Sequence, residues 1–320
     1  MRFCGGIELL NKKLTCILLL IFVFLNVLCI TVLAAEETKI KNGVVYGNYM
    51  VTEENVEEAE KIKIIKGYLG FKAREIDMPN LEKIGKALFI TNQSSKVEKI
   101  NLPKLKEMGH LLISYNINVP VNLEELYLPS LKKIKDGIRV RHVFKTFQKL
   151  RLPNLKYVGG SINIADNREL KSIDFNSLKE VGGISISRND KVNCINLSSL
   201  RKTDPKIGNL TIRNTNIKKL NLSNLKIANH IAIADNDFLK NVYLNKLQLA
   251  ESGFYIGQNK KLDEIYAPKL EYIGALKGFS IKSGNVRKKT IVIKVNQIPD
   301  YKGKIKNIKF SIINKEEIKK

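Results

Sequence analysis

One phrase recurs along most of this chain, and it restricts the fold more than any other feature. Residues 148–170 read QKLRLPNLKYVGGSINIADNREL and residues 171–192 read KSIDFNSLKEVGGISISRNDKV. Both carry an apolar-x-apolar run, a turn, a V-G-G, an I-x-I run and an asparagine three places on. The turn residue recurs at Pro79, Pro103, Pro129, Pro153, Asn176, Ser198, Ser223, Asn245 and Pro268, at intervals of 24, 26, 24, 23, 22, 25, 22 and 23 residues. A repeat of this length is the signature of a solenoid, in which each unit packs only on its neighbours. A chain of 320 residues can therefore form one elongated body.

Two alternating runs recur in each unit, such as I-D-F before the turn and I-S-I after it. Alternation of period two predicts strands with one buried face. Gly85, Gly109, Gly159 and Gly182 are read as a second turn between the two strands, and the Gly159-Gly160 and Gly182-Gly183 pairs as turns rather than phosphate loops. Helical periodicity is missing, so the expected fold is all-β, with about nine coils in parallel sheets. Asn116, Asn167, Asn189, Asn236 and Asn259 share one slot after the second run, where an inward amide satisfies backbone groups at a bend. A stacked asparagine ladder is expected there.

At the N-terminus, Arg2, Lys12 and Lys13 precede an apolar run from Leu14 to Leu33 that closes on Ala34-Ala35. That pattern predicts a signal peptide over residues 1–35, cleaved near Ala34 or Ala35, and a secreted or cell-surface location; the alternative is an uncleaved anchor, since about 20 apolar residues can span a bilayer. Removing this segment takes Cys4, Cys16 and Cys29 with it. Cys194 is then the one cysteine left, and stability must come from packing rather than disulfides.

The segments GNYMV, Ile65–Leu69 (IKGYL) and Pro79–Gly85 (PNLEKIG), within residues 42–90, resemble the opening of a receptor L domain. This is the leucine-rich ligand-binding module of insulin-type and epidermal-growth-factor-type receptors. The resemblance extends over residues 42–285 and implies a short right-handed β-helix. IGKALF at Ile84–Phe89 is similar to the I-G-x-x-A-F phrase of BspA-like leucine-rich-repeat surface adhesins. The expected organisation is a signal peptide at 1–35, a leucine-rich solenoid at 36–285 and a basic strand-rich cap at 286–320. The disulfides of the receptor family are absent and no kinase, Cys-rich or transmembrane pattern follows the repeats in this sequence, so receptor signalling is not expected.

Catalysis on such a fold falls to outward side chains. Down the first strands these are Asp77, Asn101, Tyr127, Arg151, Asp174, Asn196, Asn221, Tyr243 and Tyr266. Asp77 and Asp174 stand four rungs apart, about 19 Å at strand spacing, beyond the reach of a glycosidase pair. Arg151 faces Asp174 one rung away, which reads as a salt bridge. The second-strand column, Phe89, Leu112, Arg139, Asn163, Ser185, Thr211, Ala232, Tyr255 and Ser280, holds no acid, histidine or cysteine. His110, His142 and His230 lie in different units. Neither an enzyme nor a metal or cofactor is expected.

Binding is expected instead, through a candidate face of Tyr127, Arg151, Asn196, Asn221, Tyr243 and Tyr266, with an extracellular protein or glycan as partner. The formal charge of +24, about +22 without the first 35 residues, offers another reading: a wall component held by anionic polymers or acidic lipid. Nucleic acid is not an expected partner. The sequons at Asn92, Asn196, Asn209 and Asn221 are treated as by-products of the repeat.

Overall fold

The computed structural model describes residues 39–114, 122–143, 146–274, 276–277, 291–295, 297–301 and 308–312. The apolar N-terminal segment, Asn116 and Ser280 fall outside them. Nearly all described elements are strands, and they stack as a β-solenoid of about 10 turns with parallel sheets, slightly more than the nine coils expected. The helices among the described residues are the turns Val56–Ala59 and Asn92–Ser94.

The coil through residues 171–192 shows how the repeat folds. The short strand Ser172–Asp174 buries Ile173, while its neighbours Ser172 and Asp174 keep partial exposure. Four residues then turn the chain, closed by the Leu178 N–H donating to the Phe175 carbonyl at 3.0 Å. In the preceding unit Pro153 takes the second position of the same turn, where its fixed φ is already correct. The long strand Glu180–Asn189 follows, burying Val181, Ile184 and Ile186. These side chains meet Phe175, Leu178 and Val192 in a core that runs unbroken through the stack. Each buried Ile or Leu contributes about 1.5–3 kcal/mol of apolar transfer.

The glycines do not end a strand. Gly85, Gly109, Gly159 and Gly182 lie inside the strands Lys83–Ile90, Glu107–Ser114, Tyr157–Ala165 and Glu180–Asn189, and so do Gly160 and Gly183. Between Val158 and Ser161 two residues face the single Gly182, which is a β-bulge. A bulge bends the strand and interrupts the ladder only locally, with pairing resuming at Ser161, so one strand serves where two were expected. Glycine is needed because the backbones meet: a Cβ at Gly159 would run into the Lys135 carbonyl oxygen, and one at Gly160 into that of Asp136.

Among the described residues the short strands form three separate sheets. Glu75–Asp77 pairs with Lys99–Asn101, four strands run from Glu125–Tyr127 to Cys194–Asn196, and five run from Lys219–Asn221 to Ile308–Ile312. The breaks fall in the two longest units, of 26 and 25 residues. At the N-terminal end, the hairpin of Ile40–Lys41 with Val44–Val45 turns on Asn42 and Gly43, both at positive φ (52° and 75°), as a tight hairpin requires.

A candidate ligand-binding surface

The six candidate residues do not form one column. Tyr127, Arg151 and Asn196 belong to the four-strand sheet, in register with Asp174 between the last two. Asn221, Tyr243 and Tyr266 belong to the five-strand sheet, followed by Lys294.

Local chemistry sorts them further. Asn196 Oδ1 accepts from the Ser198 N–H at 3.3 Å and its hydroxyl at 2.9 Å, and Asn221 Oδ1 accepts from the Ser223 N–H at 3.1 Å. Asp174 makes the same bond to Asn176 at 3.1 Å. These are side chains stabilising their own turns. Tyr243 carries the Lys219 ammonium 4.7 Å from its ring centroid.

Tyr127 differs in being 42% exposed, and the Arg151 guanidinium stacks 4.7 Å from its ring centroid. Arg151 is fixed by Glu125 at 3.1 Å rather than by Asp174, because the carboxylate of the preceding rung lies on the side to which the guanidinium folds over Tyr127. Both residues line a groove of about 590 Å³ at the first break in the short-strand stack, together with Glu98, Lys99, Asn122 and Thr146. The acids of this groove and its lower wall on the preceding coil were not among the sequence candidates. The 26-residue interval between Pro103 and Pro129 was the available signal.

The opposite corner of each coil is structural. Asn167 and Asn189 are fully buried. Asn189 Oδ1 accepts from the Asn167 N–H at 3.1 Å and from its amide at 3.0 Å, while its own amide donates to the Ile164 and Ser187 carbonyls, both at 2.9 Å. Asn236 and Asn259 repeat the pattern three coils later. Thr215 occupies the rung between, in register with Asn189, its hydroxyl donating to Asn236 Oδ1 at 2.7 Å.

The residue before each ladder position takes a left-handed conformation: His142, Asp166, Arg188, Asn214, Asp235 and Gln258, with φ between 36° and 60°. Their side chains pair along the corner. Arg188 donates to Asp166 through two nitrogens, the longer bond at 2.8 Å, and Asp235 meets Arg213, the residue before Asn214, at 3.2 Å. The hydrogen bond from Arg188 holds the Asp166 carboxyl below the usual range, against a partial desolvation that acts the other way. Burial, aided by Arg139, pushes the His110 imidazole down, which keeps it neutral near pH 7.

No group of three His, Cys, Asp or Glu residues suited to a metal occurs among the described residues, and no helix there is long and apolar enough to cross a membrane. No curated protein matches the chain. The coils from Met108 to Asp204 carry both Tyr127 and Arg151, and this segment, residues 108–204, matches the family model of the receptor L domain, a family of non-catalytic ligand-binding modules.

Proposed function

We propose that the protein is a secreted or surface-held recognition protein, without catalytic activity, that binds a protein or glycan partner in the groove around Tyr127 and Arg151. The observation that carries this reading is the exposed Tyr127 ring, backed by a guanidinium that Glu125 fixes in place, at a break in a rigid strand stack. An aromatic ring of low conformational entropy beside a held cation is the composition of binding hot spots. Tyr127 and Arg151 lie within the segment that matches the receptor L domain, a family of mostly extracellular ligand-binding modules, while Glu98 and Lys99 of the lower wall precede it.

A glycan and protein array run at low and high salt tests the proposal. Binding that persists at high salt should fall about tenfold or more in Tyr127→Ala and Arg151→Ala, because each removes a short-range contact of the groove, which salt does not screen. Tyr243→Ala and Tyr266→Ala should leave it intact. Salt-tolerant binding that survives the first pair and is lost with the second moves the site to the five-strand sheet. Cell fractionation with N-terminal sequencing tests secretion; a mature chain starting near Ala35 or Glu36 is expected.

A further inference from the structure

The charge of the chain is not spread evenly. Residues 36–130 hold 13 Lys and Arg against 14 Asp and Glu, whereas residues 131–320 hold 39 against 16. The second segment is twice as long as the first, so an even bias toward lysine would give it twice the cations and twice the acids; it has three times the cations and nearly the same number of acids. The excess therefore belongs to particular coils, and the fold places part of it in a line.

The residue after the leucine that closes each turn bonds through its backbone N–H to the carbonyl of its counterpart one coil earlier. The chain of bonds runs from Lys106 through Lys132, Lys156, Lys179 and Arg201 to Lys226, each link 2.8–2.9 Å. Six consecutive rungs thus carry cations at about 4.8 Å spacing, a row about 24 Å long. Glu82 precedes the row and Gln248, Glu271 and Asp300 continue the same ladder after it, so the row has defined ends.

Lys106 is paired with Glu82 at 2.8 Å. Among the described residues, Lys132, Lys156, Lys179, Arg201 and Lys226 meet no carboxylate within ion-pair distance, although Lys202 and Lys135 in the adjacent columns do. All but the half-buried Lys179 are exposed. Holding five unpaired like charges at rung spacing is unfavourable unless an external anion screens them. Two places earlier in each coil runs a neutral hydrogen-bonding row: Ser130, Asn154, Ser177, Ser199 and Asn224.

We propose that this edge is a second binding site, distinct from the Tyr127 groove, for a linear anionic polysaccharide lying along the solenoid axis. Its carboxylate or sulfate groups meet the row from Lys132 to Lys226, and its hydroxyls meet the serine and asparagine row beside it. A line of charge one column wide matches a chain rather than a plane of head groups. A polymer with hydroxyls between its charges offers the serine and asparagine row both donors and acceptors, whereas inorganic polyphosphate offers it acceptors alone.

The test compares two triple variants of equal charge change in binding to oligogalacturonate. One is Lys156→Gln, Lys179→Gln, Arg201→Gln; the other is Lys149→Gln, Lys218→Gln, Lys240→Gln, exposed lysines on the far side of the short strands. The first should weaken binding about tenfold or more and the second less than about threefold, and both effects should shrink in high salt. Equal losses in the two triples, or no binding by the parent chain, would overturn the proposal. Polyphosphate bound as tightly as oligogalacturonate, with the same dependence on the row, would overturn the polysaccharide assignment. Where a triple melts early, Lys179→Gln alone reads the same contact. Tyr127→Ala should keep oligogalacturonate binding, which separates a failure here from a failure of the groove.

Discussion

Asn189 shows how much a single buried amide does in this fold. Its oxygen takes two donors from Asn167 and its amide supplies two carbonyls, so Asn189→Ala strands several polar groups in the core. At about 1–3 kcal/mol for each unsatisfied group, the variant should lose roughly 3 kcal/mol or more in urea denaturation. Asn189→Thr should lose less than half of that, since Thr215 fills the same slot one rung on. Asp166 sets a pH dependence. Its carboxyl titrates lower in the folded chain than the usual value near 4, so its contribution is full above that range and is lost as pH falls through the folded value. Between pH 6 and pH 3 the parent should lose more urea stability than Asp166→Asn, which has no such proton to take up; equal losses would show that the Arg188 pair adds nothing.

The elements of each coil fail in distinguishable ways. Ile173 in a short strand and Ile186 in a long one are both fully buried, and an aspartate at either places an unpaired charge in the core. Ile173→Asp and Ile186→Asp should each cost several kcal/mol in thermal or urea unfolding; a parental melting curve for either would contradict the register. The bulge makes a finer distinction. Gly159→Ala drives a methyl into the Lys135 backbone carbonyl, whereas the nearest atom to a Cβ at Gly183 is 3.3 Å away. Overpacking of the first kind costs about 1–3 kcal/mol, so the urea midpoint should fall clearly for Gly159→Ala and only slightly for Gly183→Ala.

For the molecule as a whole, stability should behave as a sum over coils and their interfaces. Deleting residues 177–198, one complete unit, should leave a folded and less stable solenoid by circular dichroism and gel filtration, while deleting half a unit should abolish cooperative unfolding. The repeat period, the alternation within it and the recurring asparagine made the stacked-strand architecture legible in the sequence, because each is a local pattern with one compatible packing. The pattern could not show that Gly159 and Gly160 form a bulge inside one strand, since a turn and a bulge ask for the same residue type and only the approach of Lys135 from the coil below separates them. It also put Tyr127, Arg151, Asn196, Asn221, Tyr243 and Tyr266 on one face, because counting units treats every rung as paired. The stack breaks where two units are longer, and that break brings Tyr127 and Arg151 together with Glu98 and Glu125 in a groove. Interior identity is thus set by residue type along the chain; which outward residues become neighbours depends on coil length and on contacts between coils, which exist only in the folded stack.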